Sequence, residues 1–452
     1  MKIIIVGFGK VGTALARQLS AEKHDITVID NDSELMSAAD NADVAFVTGN
    51  GVRADILREA GCAKADMVIA VTGVDEINML ICCVTKSISS AATVARIRNP
   101  EYSSQIGAIK ESLGIDMSIN PEKAATGEIA RLLRFPSAMT VDTFANGDVE
   151  IVSVRMREDS LLDGVPLYEL QKRIPANSLI CAVERDGAIH IPNGSFVLKA
   201  NDRISVVAKR AEIEKFFKAT GAFSKRKIKK VMIIGASKIA FYLAEELPRY
   251  GMELTIIESD KRISDALAET AAPYVRVLNA DGSNSEVLQE YGIASHDAFL
   301  SLTGMDEENI VLAMYAARQG LGKVIAKVNR QTFLGMIKNT DVESYVSPKL
   351  ICANRILQYV RALQNSMGSN VETLHTIVDD KVEALSFNVT ERARCTKIPL
   401  KDLNIKPNML VACITRGKNI MIPTGSDTIE PNDRVIIVTT TKGLNDLDDI
   451  LK

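Results

Sequence analysis

The segment LICAVERDGAIHIPNGSFVLKANDRISVV, which starts at Leu179, returns as LVACITRGKNIMIPTGSDTIEPNDRVIIV, which starts at Leu410. Arg185, Pro192, Gly194 and the tripeptide Asn201-Asp202-Arg203 fall on Arg416, Pro423, Gly425 and Asn432-Asp433-Arg434, all 231 residues apart. The same spacing lays VTGVDEIN (Val71–Asn78) on LTGMDEEN (Leu302–Asn309) and Arg96 on Lys327, while Gly7 meets Gly235 at a spacing of 228. The chain is one unit duplicated, so any fold assigned to one half must also suit the other.

Each unit divides in two. Residues 1–134 and again 228–363 alternate short apolar strands (KIIIVG, DITVID, VAFVTG, MVIAVT and ATVARI in the first copy) with helical stretches of about ten to fifteen residues. Such alternation predicts an α/β fold, a doubly wound parallel sheet of the Rossmann type. Residues 135–222 and 364–452 are shorter and strand-rich, with turn signals at RDG, PNG and ANDR, and predict a small α+β module after each sheet. At the seam lies FSKRKIKK (Phe223–Lys230), a basic stretch read as a solvated linker.

The opening VGFGKVG follows a strand and begins a helix. Gly7 permits the tight turn out of the strand, Gly9 lets the backbone approach a pyrophosphate, and Gly12 lets the helix pack on the sheet. Phe8, Lys10 and Val11 complete the turn, whose free N–H groups and positive helix end favour phosphate. Lys10 either reaches a terminal phosphate or is an exposed lysine at the helix start. Asp30 ends the second strand, where a carboxylate can accept hydrogen bonds from an adenosine ribose and repel a 2′-phosphate, which favours NAD over NADP. Asn50-Gly51 and Thr72-Gly73 follow the third and fourth strands at the carboxyl edge of the sheet, with plain turn chemistry as their structural alternative. Arg96 ends the fifth strand and can pair with a phosphate or with a carboxylate across a dimer interface; a surface ion pair is the alternative. The second copy keeps Gly235 and Glu258 but puts Ser237 and Ala240 where the other two glycines stood, with Ala236, Lys238 and Ile239 around them. The Cβ of Ser237 should weaken or re-aim binding in this cleft, to which Thr303, Gly304 and Lys327 correspond by position.

The formal net charge of −3 over 452 residues lacks the basic footprint of a nucleic-acid binder. Seven cysteines, odd in number and without a C-x-x-C pair, fit neither a disulfide framework nor a zinc site and read as buried, reduced thiols. His24, His190, His296 and His375 occupy different places in the two copies and read as surface or turn residues, with no metal ligation. No apolar run reaches the roughly 18 residues needed to cross a bilayer, and the N-terminus does not resemble a signal peptide. The expectation is a cytoplasmic protein that meets a membrane only through a partner. About 80 strand-rich residues separate the two nucleotide folds, little room for a substrate domain with an acid or base beside a nicotinamide. An NAD-linked oxidoreductase is therefore the weaker alternative to a nucleotide sensor, and a nucleotide-dependent scaffold or repressor is a third.

GFGKVG with Asp30, VTGVDEINM, ARIRNPEY, the duplication and the module ending I-x-x-P-x-G-x-x-x-x-x-x-x-D-R together resemble the regulatory subunits of Trk-type bacterial potassium-uptake systems. Those are proteins of tandem RCK domains, each with a small C-terminal RCK module. The resemblance implies a non-catalytic assembly, peripheral on the inner face of the cell membrane, that gates a membrane-embedded potassium-translocating subunit. It implies NAD(H), with ATP or ADP as alternative ligands, in the first cleft, and a homo-oligomer, a tetramer formed as a dimer of dimers. Carried over residue by residue, the nucleotide contacts fall on Gly7 to Val11, Asp30, Thr72, Gly73 and Arg96, with weaker counterparts at Gly235 to Ile239, Glu258, Thr303, Gly304 and Lys327. The apolar segment GEIARLLRFP (Gly127–Pro136) is expected to bury itself against a partner chain.

Overall fold

A computed structural model describes the chain at every residue but 36–38, 40–42, 137, 145–147, 221–226, 338, 339, 343, 367–370, 378–380, 418 and 445. The first half of the expected linker, Phe223 to Arg226, thus lies outside the described residues.

The run Ile3–Val6 is buried at all four positions, the mark of a strand covered on both faces by helices. This strand, β1 (Lys2–Val6), starts a sheet continued by β2 (Asp25–Asp30), β3 (Ala45–Thr48), β4 (Met67–Ala70), β5 (Ala92–Arg96) and β6 (Met117–Ile119). The order β3-β2-β1-β4-β5-β6, parallel throughout, places the switch in winding direction between β1 and β4, where open α/β sheets leave a crevice at the carboxyl ends. A five-stranded antiparallel module follows, of β7 (Thr140–Phe144), β8 (Val149–Arg155), β9 (Ser178–Arg185), β10 (Ala188–His190) and β11 (Arg203–Lys209). The second parallel sheet, with β12 (Lys230–Ile234), β13 (Glu253–Glu258), β14 (Val275–Asn279), β15 (Ala298–Ser301), β16 (Lys323–Lys327) and β17 (Ser344–Val346), repeats the first in order β14-β13-β12-β15-β16-β17. The second module holds β18 (Val371–Ile377), β19 (Val382–Asn388), β20 (Met409–Arg416), β21 (Asn419–Met421) and β22 (Arg434–Thr439).

The module repeat is structural. Asn201 and Asn432 take left-handed turns (φ 68° and 69°), and the following Asp202 and Asp433, each 1% exposed, receive forked hydrogen bonds from Arg185 (2.7 and 2.8 Å) and Arg416 (2.8 and 2.9 Å). A planar guanidinium meeting a buried carboxylate tolerates no lysine, which explains why these residues recur at one spacing.

The helices that leave each sheet exchange places. Helix Pro121–Arg134, after the first sheet, puts Ala125, Ile129, Ala130, Leu132 and Leu133 into one core with Ile239, Ala240, Leu243 and Ala244 of the second half. Helix Pro348–Ser366, after the second sheet, puts Cys352, Ala353, Ile356, Leu357 and Val360 against Val11, Leu15, Ala16 and Leu19 of the first half. The Asn120 amide donates to the Tyr242 hydroxyl at 2.9 Å, and Arg361 grips Glu22 at 2.5 and 3.1 Å. The two modules share a further core, including Ile151, Cys181 and Val207 of one and Ala384, Cys413 and Ile436 of the other. The segment Gly127–Pro136 therefore packs on the other half of its own chain, not on a partner chain. Duplication places within one molecule the surface that a single unit would have to borrow.

Two histidines also depart from the expected surface setting. His24 and His296 are 8% and 7% exposed; burial lowers both pKa values, and His296 is held between the Gly292 carbonyl (2.9 Å) and the Thr255 hydroxyl (3.1 Å). All seven cysteines are free thiols, and burial pushes Cys82, Cys181 and Cys352 up to about 12. Among the described residues no helix is long and apolar enough to cross a membrane, and no cluster of His, Cys, Asp and Glu could hold a metal ion.

Candidate functional site

At the end of β1 the chain must turn sharply, and Gly7 does so at φ +99°, where a Cβ would lie 2.9 Å from the Thr72 nitrogen. Gly12, in the first turn of helix Lys10–Ala21, leaves no room either: a Cβ there would stand 1.9 Å from the Gly7 oxygen. Gly9 differs from both. A Cβ at Gly9 meets nothing within 4 Å, so the backbone at the helix N-terminus faces open space. An anion approaching there meets unbonded N–H groups and the positive end of the helix.

The other first-cleft residues sort themselves around this turn. Phe8 and Val11 point into the core, with Phe8 edge-on to Phe46 at 6.1 Å, so only their backbone can serve a ligand. The Asp30 carboxylate accepts from the Phe8 nitrogen (2.6 Å) and the Asp32 nitrogen (3.1 Å), fixing the turn while leaving further acceptor capacity. Asn50 caps its own loop through Val52 (3.1 Å), and Gly51 is tight against Val6. Gly73 and Lys10 are exposed. Arg96 corrects one expectation: it is half-buried, donates to the Thr72 carbonyl at 2.5 Å, and makes no surface ion pair among the described residues. Burial, and then the nearby Arg98, lower its pKa.

The second cleft repeats this wiring with changed parts. Gly235 turns at φ +94°; Glu258 accepts from the Ala236 nitrogen (2.7 Å) and the Asp260 nitrogen (2.8 Å), as Asp30 does in the first copy. Ser237 holds nearly the backbone of Gly9, φ −70° and ψ 169° against −66° and −169°, and its hydroxyl is buried without a partner. Ile239 and Ala240 are core residues, whereas Lys238 and Gly304 are exposed. The Thr303 hydroxyl donates to Glu308 at 2.7 Å, and Lys327 donates to the Leu302 carbonyl at 3.2 Å, with its pKa lowered by burial. A cavity of about 560 Å³ opens beside Ala236, Ser237 and Lys238, with Pro100 of the first half on its wall.

Residues that were not among the expected contacts hold both clefts in shape. Asn78, fully buried, accepts from the Thr72 nitrogen (2.8 Å) and hydroxyl (2.7 Å) and donates to the Arg96 carbonyl (2.8 Å). Asn309 accepts from the Thr303 nitrogen (2.8 Å) and donates to the Lys327 carbonyl (3.0 Å). Asp75 and Asp306 each accept two backbone N–H groups from the segment after the fifth strand. Their presence at one spacing in VDEIN and MDEEN was the available signal. Lys349 gave none: it sits in the first turn of helix Pro348–Ser366 yet stands beside Lys10 of the other half, and burial followed by the Lys10 charge push its ammonium down to about 8.

Residues 3–121 and 231–348 match the TrkA-N domain, and residues 151–221 and 385–452 match the TrkA-C domain. This chain belongs to the TrkA family. The Trk system potassium uptake protein TrkA homolog 1 of Methanosarcina mazei is 31% identical over the whole of both chains. The Trk system potassium uptake protein TrkA of Haemophilus influenzae is 32% identical over 98% of this chain and 96% of its own. Among solved structures, the GsuK channel bound to NAD superposes with a TM-score of 0.62 over 98% of this chain and 77% of its own, at 15% identity. The same channel bound to ADP gives 0.50 over 81% and 69%, at 14% identity. These two likenesses establish the fold: tandem RCK-type Rossmann sheets, each followed by a small module.

Proposed function

We propose that this TrkA-family chain is the nucleotide-sensing regulatory subunit of a Trk-type system, which binds NAD(H) or ATP/ADP and thereby gates a membrane-embedded potassium-translocating subunit. Its four domains on this reading are residues 1–134, 135–222, 228–363 and 364–452. Nucleotide is held by the backbone of Gly7 to Gly12, by Asp30, and by Lys10, with Asn50, Gly51, Thr72, Gly73 and Arg96 shaping the cleft. The second cleft, at Gly235 to Ile239, Glu258, Thr303, Gly304 and Lys327, is the weaker one because Ser237 covers the phosphate approach. The observation that carries the reading is that Lys349 of the second half stands beside Lys10, in the glycine turn of the first. A ligand that bridges them favours one arrangement of the halves by its difference in affinity, which is all that gating requires. The relatives named as potassium-uptake proteins and the channel bound to NAD support the same assignment.

On this reading the protein is cytosolic, attached to the membrane through its partner, and not an enzyme. Purified protein should bind NADH and ATP calorimetrically without oxidising NADH in the presence of small carbonyl compounds. Turnover abolished by a cleft substitution would make it an oxidoreductase instead. A homo-oligomer, a tetramer, is supported by apolar residues exposed at equivalent places in both halves, Val74 and Leu80 in one and Met305 and Val311 in the other. Light scattering should give a tetramer mass at micromolar concentration; a monomer with and without nucleotide contradicts this.

A further inference from the structure

Between the first module, the second sheet and the two exchanged helices lies a cavity of about 900 Å³, within the usual range for small-molecule sites. No residue of either glycine turn lines it. Its wall brings together Arg131 of helix Pro121–Arg134, Arg355 of helix Pro348–Ser366 and Arg155 of β8. Among the described residues these three arginines form no ion pair, whereas the other two on the wall do, Arg203 with Glu184 at 3.3 Å and Arg361 with Glu22 at 2.5 Å.

Glu128 lines the same wall, where the charges of both Arg131 and Arg355 act on its carboxyl. Of the remaining acids, Glu184 is taken by Arg203, Asp142 has its own partner, and Asp186 and Asp341 are exposed to solvent. Buried and unsatisfied polar groups on the wall include Nε of Arg131, Oγ1 of Thr140, and Oγ of Ser347, a residue 4% exposed at the start of helix Pro348–Ser366. Such groups cost free energy unless something accepts or donates to them. The duplication has also diverged here. Glu128 and Arg131 fall 227 residues before Arg355 and Gln358, so the two exchanged helices together carry three arginines to the cavity, Arg131, Arg355 and the paired Arg361, and one glutamate.

We propose that this cavity binds a small organic anion with at least two carboxylate or phosphate groups, clamped between Arg131 and Arg355. Arg131, Arg355 and Arg155, set against Glu128 on the wall and Glu150 near Arg131, leave a positive charge unneutralised, and the planar guanidinium forks match carboxylate and phosphate oxygens. Because the clamp joins one helix from each half, its occupant acts on the same relative motion as nucleotide, from a separate site.

Calorimetric titration of the full chain with citrate and, separately, inorganic pyrophosphate, both with NADH saturating, tests this. At least one probe should bind at one site per chain. Arg355→Gln should weaken it about tenfold or more and Gln358→Arg should tighten it, with NADH affinity unchanged in both. Absence of heat from both probes, equal probe affinity in parent and variants, or displacement of the bound probe by NADH overturns the proposal. If Arg355→Gln does not fold, Gln358→Arg decides: tighter binding supports the clamp and unaltered binding refutes it.

Discussion

Gly9→Ser separates folding from binding in the first cleft. In the structure a Cβ at this position meets no atom within 4 Å, and φ of −66° is ordinary for any residue. The second copy already carries Ser237 in nearly the same conformation (φ −70°). The fold should therefore be indifferent, with a stability change within about 0.5 kcal/mol. The ligand is not: the new Cβ and hydroxyl occupy the space before the helix terminus, and a phosphate forced back loses one charge-assisted hydrogen bond, about 1.5–3 kcal/mol. That corresponds to roughly a 10- to 150-fold weaker Kd for NADH or ATP by calorimetry. Gly12→Ala is the contrasting control. Its Cβ would stand 1.9 Å from the Gly7 oxygen, so the helix must move and both stability and affinity should fall, the former by about 1–3 kcal/mol. Parent-like affinity in Gly9→Ser would put the nucleotide somewhere else, and a melting loss equal to that of Gly12→Ala would refute the open space.

Asn78→Ala should cost roughly 2–4 kcal/mol in urea denaturation, because the Thr72 nitrogen and the Arg96 carbonyl lose their buried partner; a loss below about 0.5 kcal/mol would show that water replaces it. Lys349 sets a pH dependence. With its folded pKa lowered to about 8 from 10.5, the unfolded chain binds more protons between those values, so the destabilising contribution is full below about pH 8 and is relieved as pH rises. A bound terminal phosphate favours the charged form, so ATP affinity should hold below pH 8 and decline from pH 8 to 9.5, and Lys349→Met should flatten the curve. An equal decline in that variant assigns the dependence to another group.

The strands and both glycine turns were legible because burial on two faces writes itself as KIIIV and KVMII, and a turn at positive φ leaves few residues to choose from. The Arg185–Asp202 pair was legible only as a repeat, since identity at one spacing reveals a constraint without its nature. What stayed hidden depends on contacts distant in sequence. GEIARLLRFP displays an apolar face but says nothing of which surface covers it, and a duplicated chain offers a covering surface of its own. Arg96 at a strand end reads as a phosphate ligand, but its hydrogen bond to the Thr72 carbonyl, 24 residues away, was not legible. That Lys349 stands beside Lys10 was hidden because the two meet only through the exchange of helices.

That exchange also says how a nucleotide could be felt far from its cleft. Helix Lys10–Ala21 begins at the open turn and is packed by Cys352, Ile356 and Val360 of the helix from the other half, so a shift of the turn is a shift of that helix. Each exchanged helix runs on into a module, and at each junction a buried glutamate waits on the second strand: Glu150, 2% exposed, near Arg134 and Arg131, and Glu383, 4% exposed, near Arg361. Burial raises both carboxyl pKa values, so displacement that admits water favours their ionisation and changes how strongly the arginines hold them. Arg361 also grips Glu22, two residues before His24 on the first sheet's side, which ties module, exchanged helix and nucleotide fold into one set of charges. Among the described residues Arg134 makes no ion pair and lies instead over the ring of Tyr250 at 5.3 Å. Motion started at the first turn therefore meets an ion pair on one side of the molecule and a cation–π contact on the other, and the second module, held through Arg361, should follow the first cleft more closely than the first module follows the second.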